Sequence, residues 1–178
     1  MKTTAILIAG FGGQGTLFAG KVLAVASLMK GLEVSWLPSY GPEMRGGTAN
    51  CSVMISDSPI GSPIVSRPDV LLALNKPSFE KYEKVTVPGG SVFVDSSLVD
   101  VRSTRNDIGV YYTPATEMAG NVVGNAALSN IVLIGKVIKE TGLFTEEEII
   151  AAITETVPKS KQALLDANIK ALRAGMDA

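Results

Sequence analysis

Histidine is absent from this 178-residue sequence, and cysteine occurs once, at Cys51. Without histidine the chain lacks the commonest general base and the commonest zinc ligand, so Ser-His-Asp and Cys-His arrangements are excluded. A single cysteine cannot form an internal disulfide, hold an iron–sulfur cluster or complete a zinc site. We therefore expect no metal or redox centre on this chain by itself, and a reducing, cytoplasmic location.

The sequence also lacks a large excess of charge of either sign, and it lacks long apolar runs. The sequence has 16 basic and 17 acidic residues, so its net charge of −1 creates no overall field for nucleic acid or an anionic membrane. The longest apolar candidate, 131–138, is interrupted by Gly135 and Lys136 and is too short to span a bilayer. We therefore expect neither nucleic acid nor a membrane as a partner.

Apolar residues, in contrast, are abundant. They make up 46% of the sequence against 19% charged residues, and the mean hydropathy is +0.28. An average soluble domain is less apolar, so either the core is large or another chain covers some apolar surface. The length favours one domain over residues 1–178.

Stretches typical of strands alternate with stretches typical of helices along most of the chain. This order predicts an α/β fold, a single Rossmann-like domain with an open, mainly parallel sheet and helices on both faces. No helix separates the second and third strands, so we expect an irregular, hairpin-like excursion after the second strand. The predicted strands cover 4–9, 32–37, 49–56, 70–74, 90–95 and 109–112, and the predicted helices cover 16–30, 77–84, 121–141, a segment opened by a Thr145–Glu148 capping box, and 159–174.

Gly10, Gly12 and Gly15 form a G-x-G-x-x-G motif between the first strand and the first helix. In this context the glycines permit a tight turn, close approach of a ligand, and close packing of the helix on the sheet, respectively. The helix N-terminus then offers free N–H groups to a phosphate. Gly13 and Gln14 add a flexible, hydrogen-bonding tip. The pattern indicates a phosphate cradle, and a purely structural turn is the alternative.

A nicotinamide dinucleotide site would also need an acidic residue at the end of the second strand to hold the ribose. The sequence at 37–40 is L-P-S-Y, and Glu33 lies at the opposite end of that strand. A stand-alone dinucleotide-binding oxidoreductase is therefore the weaker rival hypothesis.

The second candidate constellation is the loop at 39–47, S-Y-G-P-E-M-R-G-G. Its glycines and prolines exclude regular structure, and loops after strands are where α/β sheets place their sites. Tyr40, Glu43 and Arg45 are its candidate binding residues. Arg45 can clamp a phosphate or carboxylate through two parallel hydrogen bonds, and a surface ion pair with Glu43 is the alternative.

Four other polar residues have simpler interpretations. Cys51 lies in a predicted strand and is expected to be a small buried hydrophobe, because no histidine can activate it. Thr113 is expected to cap the helix that follows it. Asn125 and Asn130 lie in the predicted helix 121–141, where buried amides need partners from neighbouring loops, a partner subunit or a ligand.

Four motifs together resemble the gamma subunit of 2-oxoacid:ferredoxin oxidoreductases, in the pyruvate/ketoisovalerate oxidoreductase catalytic domain family. They are G-F-G-G-Q-G at 10–15, S-Y-G-P-E-M-R-G-G at 39–47, A-N-C-S-V-M-I-S at 49–56 and L-N-K-P-S-F-E-K-Y at 74–82. The 39–50 stretch is most similar to gamma chains of the 2-oxoglutarate and branched-chain 2-oxoacid enzymes. It is less similar to the small subunit of indolepyruvate oxidoreductase.

The resemblance implies an enzyme that converts a 2-oxoacid, coenzyme A and oxidised ferredoxin into acyl-CoA, carbon dioxide and reduced ferredoxin, with 2-oxoglutarate as the favoured substrate. It implies thiamine diphosphate on alpha and beta subunits, and iron–sulfur clusters on beta, delta or a fused segment. The resemblance further implies that the gamma chain helps to close the active site and bind coenzyme A, and we expect the chain to be inactive alone. A homodimer of the isolated chain and a purely structural assembly role stay open. The implied binding positions are Gly12, Gly13, Gln14, Gly15, Tyr40, Glu43 and Arg45, with no catalytic or metal-binding residue.

Overall fold

The computed structural model describes residues 3–39, 48–158, 160 and 163–178. Within them, no helix is long and apolar enough to cross a membrane. The strands are β1 (Thr3–Phe11), β2 (Glu33–Ser39), β3 (Thr48–Ser56), β4 (Val70–Ala73), β5 (Ser91–Asp95) and β6 (Gly109–Thr113). The helices are α1 (Thr16–Met29), α2 (Lys76–Tyr82), α3 (Ala115–Val123), α4 (Ser129–Thr141), α5 (Glu146–Thr156) and α6 (Ala163–Asp177), with short 3₁₀ helices at Glu83–Val85 and Ala126–Leu128.

The described strands form one six-stranded sheet in the order β2-β3-β1-β4-β5-β6. Strands β1, β4, β5 and β6 are parallel, whereas β3 runs antiparallel to both β1 and β2. The mainly parallel sheet and the hairpin-like excursion after the second strand are therefore confirmed. The excursion returns into the middle of the sheet, because β3 lies between β2 and β1.

Helices cover both faces of the sheet, as predicted, but unequally. The larger core contains Ile6 and Ile8 of β1 and residues of α1, α3, α4, α5 and α6. The smaller core contains Leu7 and Leu71 on the opposite face, packed with Phe79 of α2. Because both faces of β4 are covered, all four of its residues are buried, which explains the continuous apolar run at 70–74.

The predicted helix 121–141 is wrong, because the chain forms two α-helices and a 3₁₀ turn there. Helix α3 ends before Gly124, which takes a left-handed φ of 72°. Asn125 is extended, and its side chain accepts a hydrogen bond from Ala127 N–H at the start of the 3₁₀ turn. Asn125 is therefore an exposed capping residue between helices, not a residue inside one.

Of the two helix caps that the sequence predicted, the one at Thr113 is wrong and the one at Thr145 is confirmed. Thr113 is not a helix cap: it is the buried last residue of β6, and α3 begins after Pro114. Asp95 on β5 caps this helix instead, because its carboxylate accepts hydrogen bonds from the N–H and the hydroxyl of Thr116 at 3.2 and 2.6 Å. The Thr145–Glu148 capping box at the start of α5 is present as predicted.

Helices α4 and α6 cross at very short range through two glycines. A Cβ added at Gly135 would lie 3.0 Å from Met176 N, and one added at Gly175 would lie 2.7 Å from the Val132 carbonyl carbon. These neighbours are backbone atoms that cannot turn away. The two glycines thus set the position of α6 against the rest of the larger core.

Candidate functional site

The glycine turn, residues Gly12–Gly15, connects the end of β1 to the start of α1. Gly13 and Gly15 have φ values of 95° and 72°, a conformation that side-chain-bearing residues rarely adopt. The N–H of Gln14 donates to the Phe11 carbonyl at 3.2 Å and closes the turn. Gly12 and Gly13 form its exposed tip.

The N-terminus of α1 starts from this turn with no side chain to cap it. Gly15 occupies the N-cap position, no side-chain hydrogen bond is made there, and the first turn of the helix carries no acidic residue. The first N–H groups of a helix have no partner inside it, and they carry the positive end of its dipole. A cavity of about 210 Å³ adjoins this end and is lined by Gly12, Gly13, Gly15, Thr16, Leu17 and Ala49. The arrangement is suited to an anion.

The side chain of Gln14 points inward and is held by three hydrogen bonds. Its Oε1 accepts from Phe11 N–H at 2.6 Å and from the Asn75 amide at 3.3 Å, while its Nε2 donates to the Leu74 carbonyl at 2.9 Å. Gln14 therefore joins the end of β1 to the end of β4. Gly10 is required here, since an added Cβ would lie 2.8 Å from Gln14 Oε1 and 2.9 Å from Leu74 Cβ.

Gly15 is constrained by Asn130 of α4 rather than by the sheet, which corrects the role expected for the third glycine. An added Cβ would lie 3.0 Å from Asn130 Cγ and closer still to its Nδ2. Asn130 is 3% exposed, donates from Nδ2 to the Gly15 carbonyl at 3.0 Å, and accepts from Ile131 N–H at 3.0 Å. Its amide thus bonds a neighbouring loop, one of the alternatives that the sequence left open.

The second candidate loop lies mostly outside the described residues, and so do Tyr40, Glu43 and Arg45. The strand ends on either side of it are described. Ser39 at the end of β2 pairs with Asn50, and Thr48 at the start of β3 pairs with Phe11. Both ends of this connection therefore adjoin the edge of the sheet that carries the glycine turn.

Cys51 is fully buried in β3, as the sequence suggested. Burial raises the pKa of its thiol to about 12, so the nucleophilic thiolate is strongly disfavoured. Within the described part of the chain, no three Cys, Asp or Glu side chains come together in a way that could hold a metal ion.

The sequence alone does not show three residues that shape this site. Leu74 and Asn75 hold Gln14 across 60 and 61 positions, respectively, and Asn130 holds Gly15 across 115 positions. The only local signal was the presence of polar Asn130 in an otherwise apolar helix.

Comparisons with known proteins agree with the resemblance. The family model described as pyruvate ferredoxin/flavodoxin oxidoreductase matches residues 5–178. Ketoisovalerate oxidoreductase subunit VorA of Methanothermobacter marburgensis is 40% identical over 177 residues, and this chain spans 36% of its length. 2-Oxoglutarate synthase subunit KorC of the same organism is 38% identical, with 97% of this chain and 94% of that subunit covered.

A solved structure supports the same assignment. The gamma subunit of keto/oxoacid ferredoxin oxidoreductase from Geobacter sulfurreducens is 32% identical, with a TM-score of 0.83, and the match covers 98% of this chain and 96% of that one. The chain spans only about a third of the length of the VorA relatives. The family model and the full-length relatives together show that this chain belongs to the pyruvate ferredoxin/flavodoxin oxidoreductase family.

Proposed function

We propose that this chain serves as the gamma subunit of a multi-subunit 2-oxoacid:ferredoxin oxidoreductase in the cytoplasm. The whole enzyme would convert a 2-oxoacid, coenzyme A and oxidised ferredoxin into acyl-CoA, carbon dioxide and reduced ferredoxin. Thiamine diphosphate and the iron–sulfur clusters would lie on alpha, beta and delta partners, and the chain alone, one domain over 1–178, would be inactive. The observation that carries the proposal is the match to a gamma subunit over nearly its whole length.

The substrate that we favour is 2-oxoglutarate. KorC subunits of 2-oxoglutarate synthase from three archaeal genera are 35–38% identical to this chain. The VorA relatives, at 40% identity, make a branched-chain 2-oxoacid the second candidate. Purification of the complex with its partners, followed by ferredoxin reduction assays with each 2-oxoacid, tests the choice. Preference for pyruvate or indolepyruvate would overturn it.

We further propose that the glycine turn contacts a phosphate of coenzyme A. The uncapped N-terminus of α1 and the exposed Gly12 and Gly13 support this. In this proposal Gly12 and Gly13 let the ligand approach the backbone, Gly15 lines the same cavity from the N-cap of α1, and Gln14 fixes the turn from behind. Tyr40, Glu43 and Arg45 would complete the site from the neighbouring connection, or contact a partner subunit.

A matched pair of glycine variants tests the contact. Gly13 and Gly31 both have positive φ values, 95° and 73°, and an added Cβ would meet nothing within 4 Å at either position. Replacement by alanine should therefore lower the free energy of unfolding by a similar amount at both positions. In the assembled enzyme, Gly13→Ala should raise KM for coenzyme A about tenfold, because its methyl group occupies the space of a phosphate bound by charge-assisted hydrogen bonds.

Gly31→Ala, at the far end of α1, should leave KM unchanged. Equal KM values for the two variants would favour the alternative of a purely structural assembly subunit. Arg45→Ala tests the second loop in the same assay. Loss of its charge-assisted contacts should raise KM about tenfold, and Arg45→Lys should restore it only in part.

A further inference from the structure

Asn75, between β4 and α2, contacts both the glycine turn and the first turn of α2. It is 2% exposed and occupies the N-cap position of α2. Its Oδ1 accepts a hydrogen bond from Ser78 N–H at 2.9 Å, and its Nδ2 donates to Gln14 Oε1 at 3.3 Å. The two ends of one buried amide therefore serve two different elements.

The cap fixes the orientation of the Asn75 amide. An N–H group can bond only to the oxygen end of an amide, so Ser78 N–H holds Oδ1 and directs Nδ2 toward Gln14. Two backbone groups orient the Gln14 amide, because Phe11 N–H needs its Oε1 and the Leu74 carbonyl needs its Nε2. The donor of Asn75 therefore meets the acceptor of Gln14, and no other pair of orientations satisfies all these hydrogen bonds.

We propose that Asn75 is a positioning residue for coenzyme A binding at the glycine turn. Asn75 holds Gln14 Oε1 toward Phe11 N–H, where the turn begins. The turn thereby keeps the shape in which Gly12 and Gly13 are exposed to a phosphate. Asn75 does not line the cavity at this end of α1, so it acts through Gln14 and not by contact with the ligand. The inference rests on the proposed function, because it assigns a role within that contact.

Two substitutions at position 75 separate this role from the cap. Asn75→Asp and Asn75→Ser both keep an oxygen that can accept from Ser78 N–H. Asn75→Ser removes only the donor to Gln14, whereas the carboxylate of Asn75→Asp places a second acceptor against Gln14 Oε1. In the assembled enzyme, KM for coenzyme A should rise about threefold for Asn75→Ser and about tenfold for Asn75→Asp, with kcat unchanged. A merely structural side chain would give the reverse order, since aspartate matches the volume of asparagine and serine does not.

The pH dependence of Asn75→Asp is a further readout. A protonated carboxyl group is a donor, so it replaces the Asn75 N–H toward Gln14 as the pH falls. Burial disfavours the charged form of a carboxyl group, so KM of the variant should approach that of the wild-type enzyme between about pH 8.5 and about pH 6. Asn75→Ser should show no such recovery. A ratio of variant to wild-type KM that is constant with pH would contradict the inference.

Other titratable groups are controlled by comparison with the wild-type enzyme at each pH, since both proteins carry them. Strands β1 and β4 and the glycine turn contain no titratable side chain. The charged groups of α2 and of the neighbouring strand β5 are Lys76, which pairs with Asp100, the exposed Glu80 and Lys81, and Asp95.

A double-mutant cycle with Gln14→Ala shows whether Asn75 acts through Gln14. If it does, Asn75→Asp should not raise KM further in the Gln14→Ala background. Direct repulsion between the introduced carboxylate and coenzyme A would persist there and would overturn the inference. An unchanged KM for Asn75→Asp, with a raised KM for Gly13→Ala, would also overturn it. If neither variant raises KM, the proposed contact with coenzyme A fails, and the inference fails with it.

Nuclear magnetic resonance of the isotope-labelled full chain tests the inference without coenzyme A or partner subunits. At about pH 8.5, Asn75→Asp should shift the backbone N–H resonances of Gly12 and Gly13 and the side-chain amide resonances of Gln14. Lowering the pH to about 6 should return them toward their wild-type positions. The Gly31 N–H, at the far end of α1, is the control and should not shift. Unshifted Gly12, Gly13 and Gln14 resonances in a folded variant would overturn the inference.

Discussion

Replacement of Gly15 by alanine should destabilise the chain through two separable effects. A residue with a Cβ at φ of 72° loses roughly 1–2 kcal/mol through backbone strain. The new methyl group would also lie 3.0 Å from Asn130 Cγ and closer to Nδ2, so the amide must move and lose its bond to the Gly15 carbonyl. Overpacking of this kind adds about 1–3 kcal/mol. We expect a total loss of about 3 kcal/mol in the free energy of unfolding.

A double-mutant cycle with Asn130→Ala separates the two effects. Asn130→Ala alone should cost about 1.5 kcal/mol, because it removes the hydrogen bonds of this buried amide to the Gly15 carbonyl and from Ile131 N–H. In that background Gly15→Ala meets no side chain at position 130, so only the backbone strain of about 1.5 kcal/mol remains. The double variant should therefore be more stable than the sum of the singles by about 1.5 kcal/mol.

The assay is urea unfolding of the full chain at 25 °C, followed by far-ultraviolet circular dichroism. Gly31→Ala is the matched control, because Gly31 has a φ of 73° and open space around an added Cβ, so strain acts alone. Two results would refute the inferred contact between Gly15 and Asn130. One is that the stability losses of Gly15→Ala and Asn130→Ala add up to that of the double variant, and the other is that Gly15→Ala destabilises the chain no more than Gly31→Ala does.

Gly175→Ala should lower the free energy of unfolding by about 3 kcal/mol, because its Cβ would meet the Val132 backbone; near-native stability in urea would contradict the close helix crossing. Thr145→Ala should cost about 1 kcal/mol in the same assay through loss of the cap. The hydrogen bond from Thr145 N–H holds the pKa of Glu148 in the folded chain below its usual range. The Glu148 carboxylate therefore stabilises the fold at pH values above the pKa that it has in the unfolded chain. This stabilisation is lost as the pH falls through the lower pKa of the folded chain. Glu148→Gln should therefore make stability less sensitive to acid, and equal acid sensitivity would contradict this. The Cys51 thiol, with a pKa of about 12, should resist a disulfide reagent at mildly alkaline pH until urea unfolds the chain.

The strands and their order along the chain could be predicted because their signals are local. Each strand is a short apolar or β-branched run bounded by glycine or proline, and the structure places the strand ends within two residues of the prediction. The start of α1 at Thr16 and the capping box at Thr145 are equally local.

The break between α3 and α4 could not be predicted in the same way. Glycine inside an apolar, helix-spaced pattern is tolerated in many helices, so Gly124 gave only a weak signal. The start of α3 depends on Asp95, a residue 21 positions away on another strand. The spacing of residues in the sequence can reveal a capping side chain that lies in the same turn as the helix. A capping side chain from a neighbouring strand can be recognised only once the sheet is assembled.

The glycine turn was predicted in its position between β1 and α1, but not in its internal contacts. The glycine motif marks the end of β1, and the α/β topology places this motif at the carboxyl ends of the parallel strands. The partners of Gln14 come from the connection between β4 and α2, the partner of Gly15 comes from α4, and each of these contacts depends on tertiary packing. The expectation of a flexible Gln14 tip fails for this reason, since the side chain is bonded at both ends.

The position of Gln14 also explains why the G-x-G-x-x-G motif occurs here without the acidic residue that would hold the ribose of a dinucleotide. In a doubly wound sheet the dinucleotide lies in the crevice between the first strand and its parallel neighbour, beyond their carboxyl ends. Here Gln14 bridges those two strands, β1 and β4, through Leu74 and Asn75, while β2 ends in Ser39 rather than an acid and is separated from β1 by β3. In the proposed function, an anion at the α1 N-terminus would therefore approach it from the β3 side, where Ala49 lines the adjoining cavity. That is also the side on which the connection carrying Arg45 begins and ends.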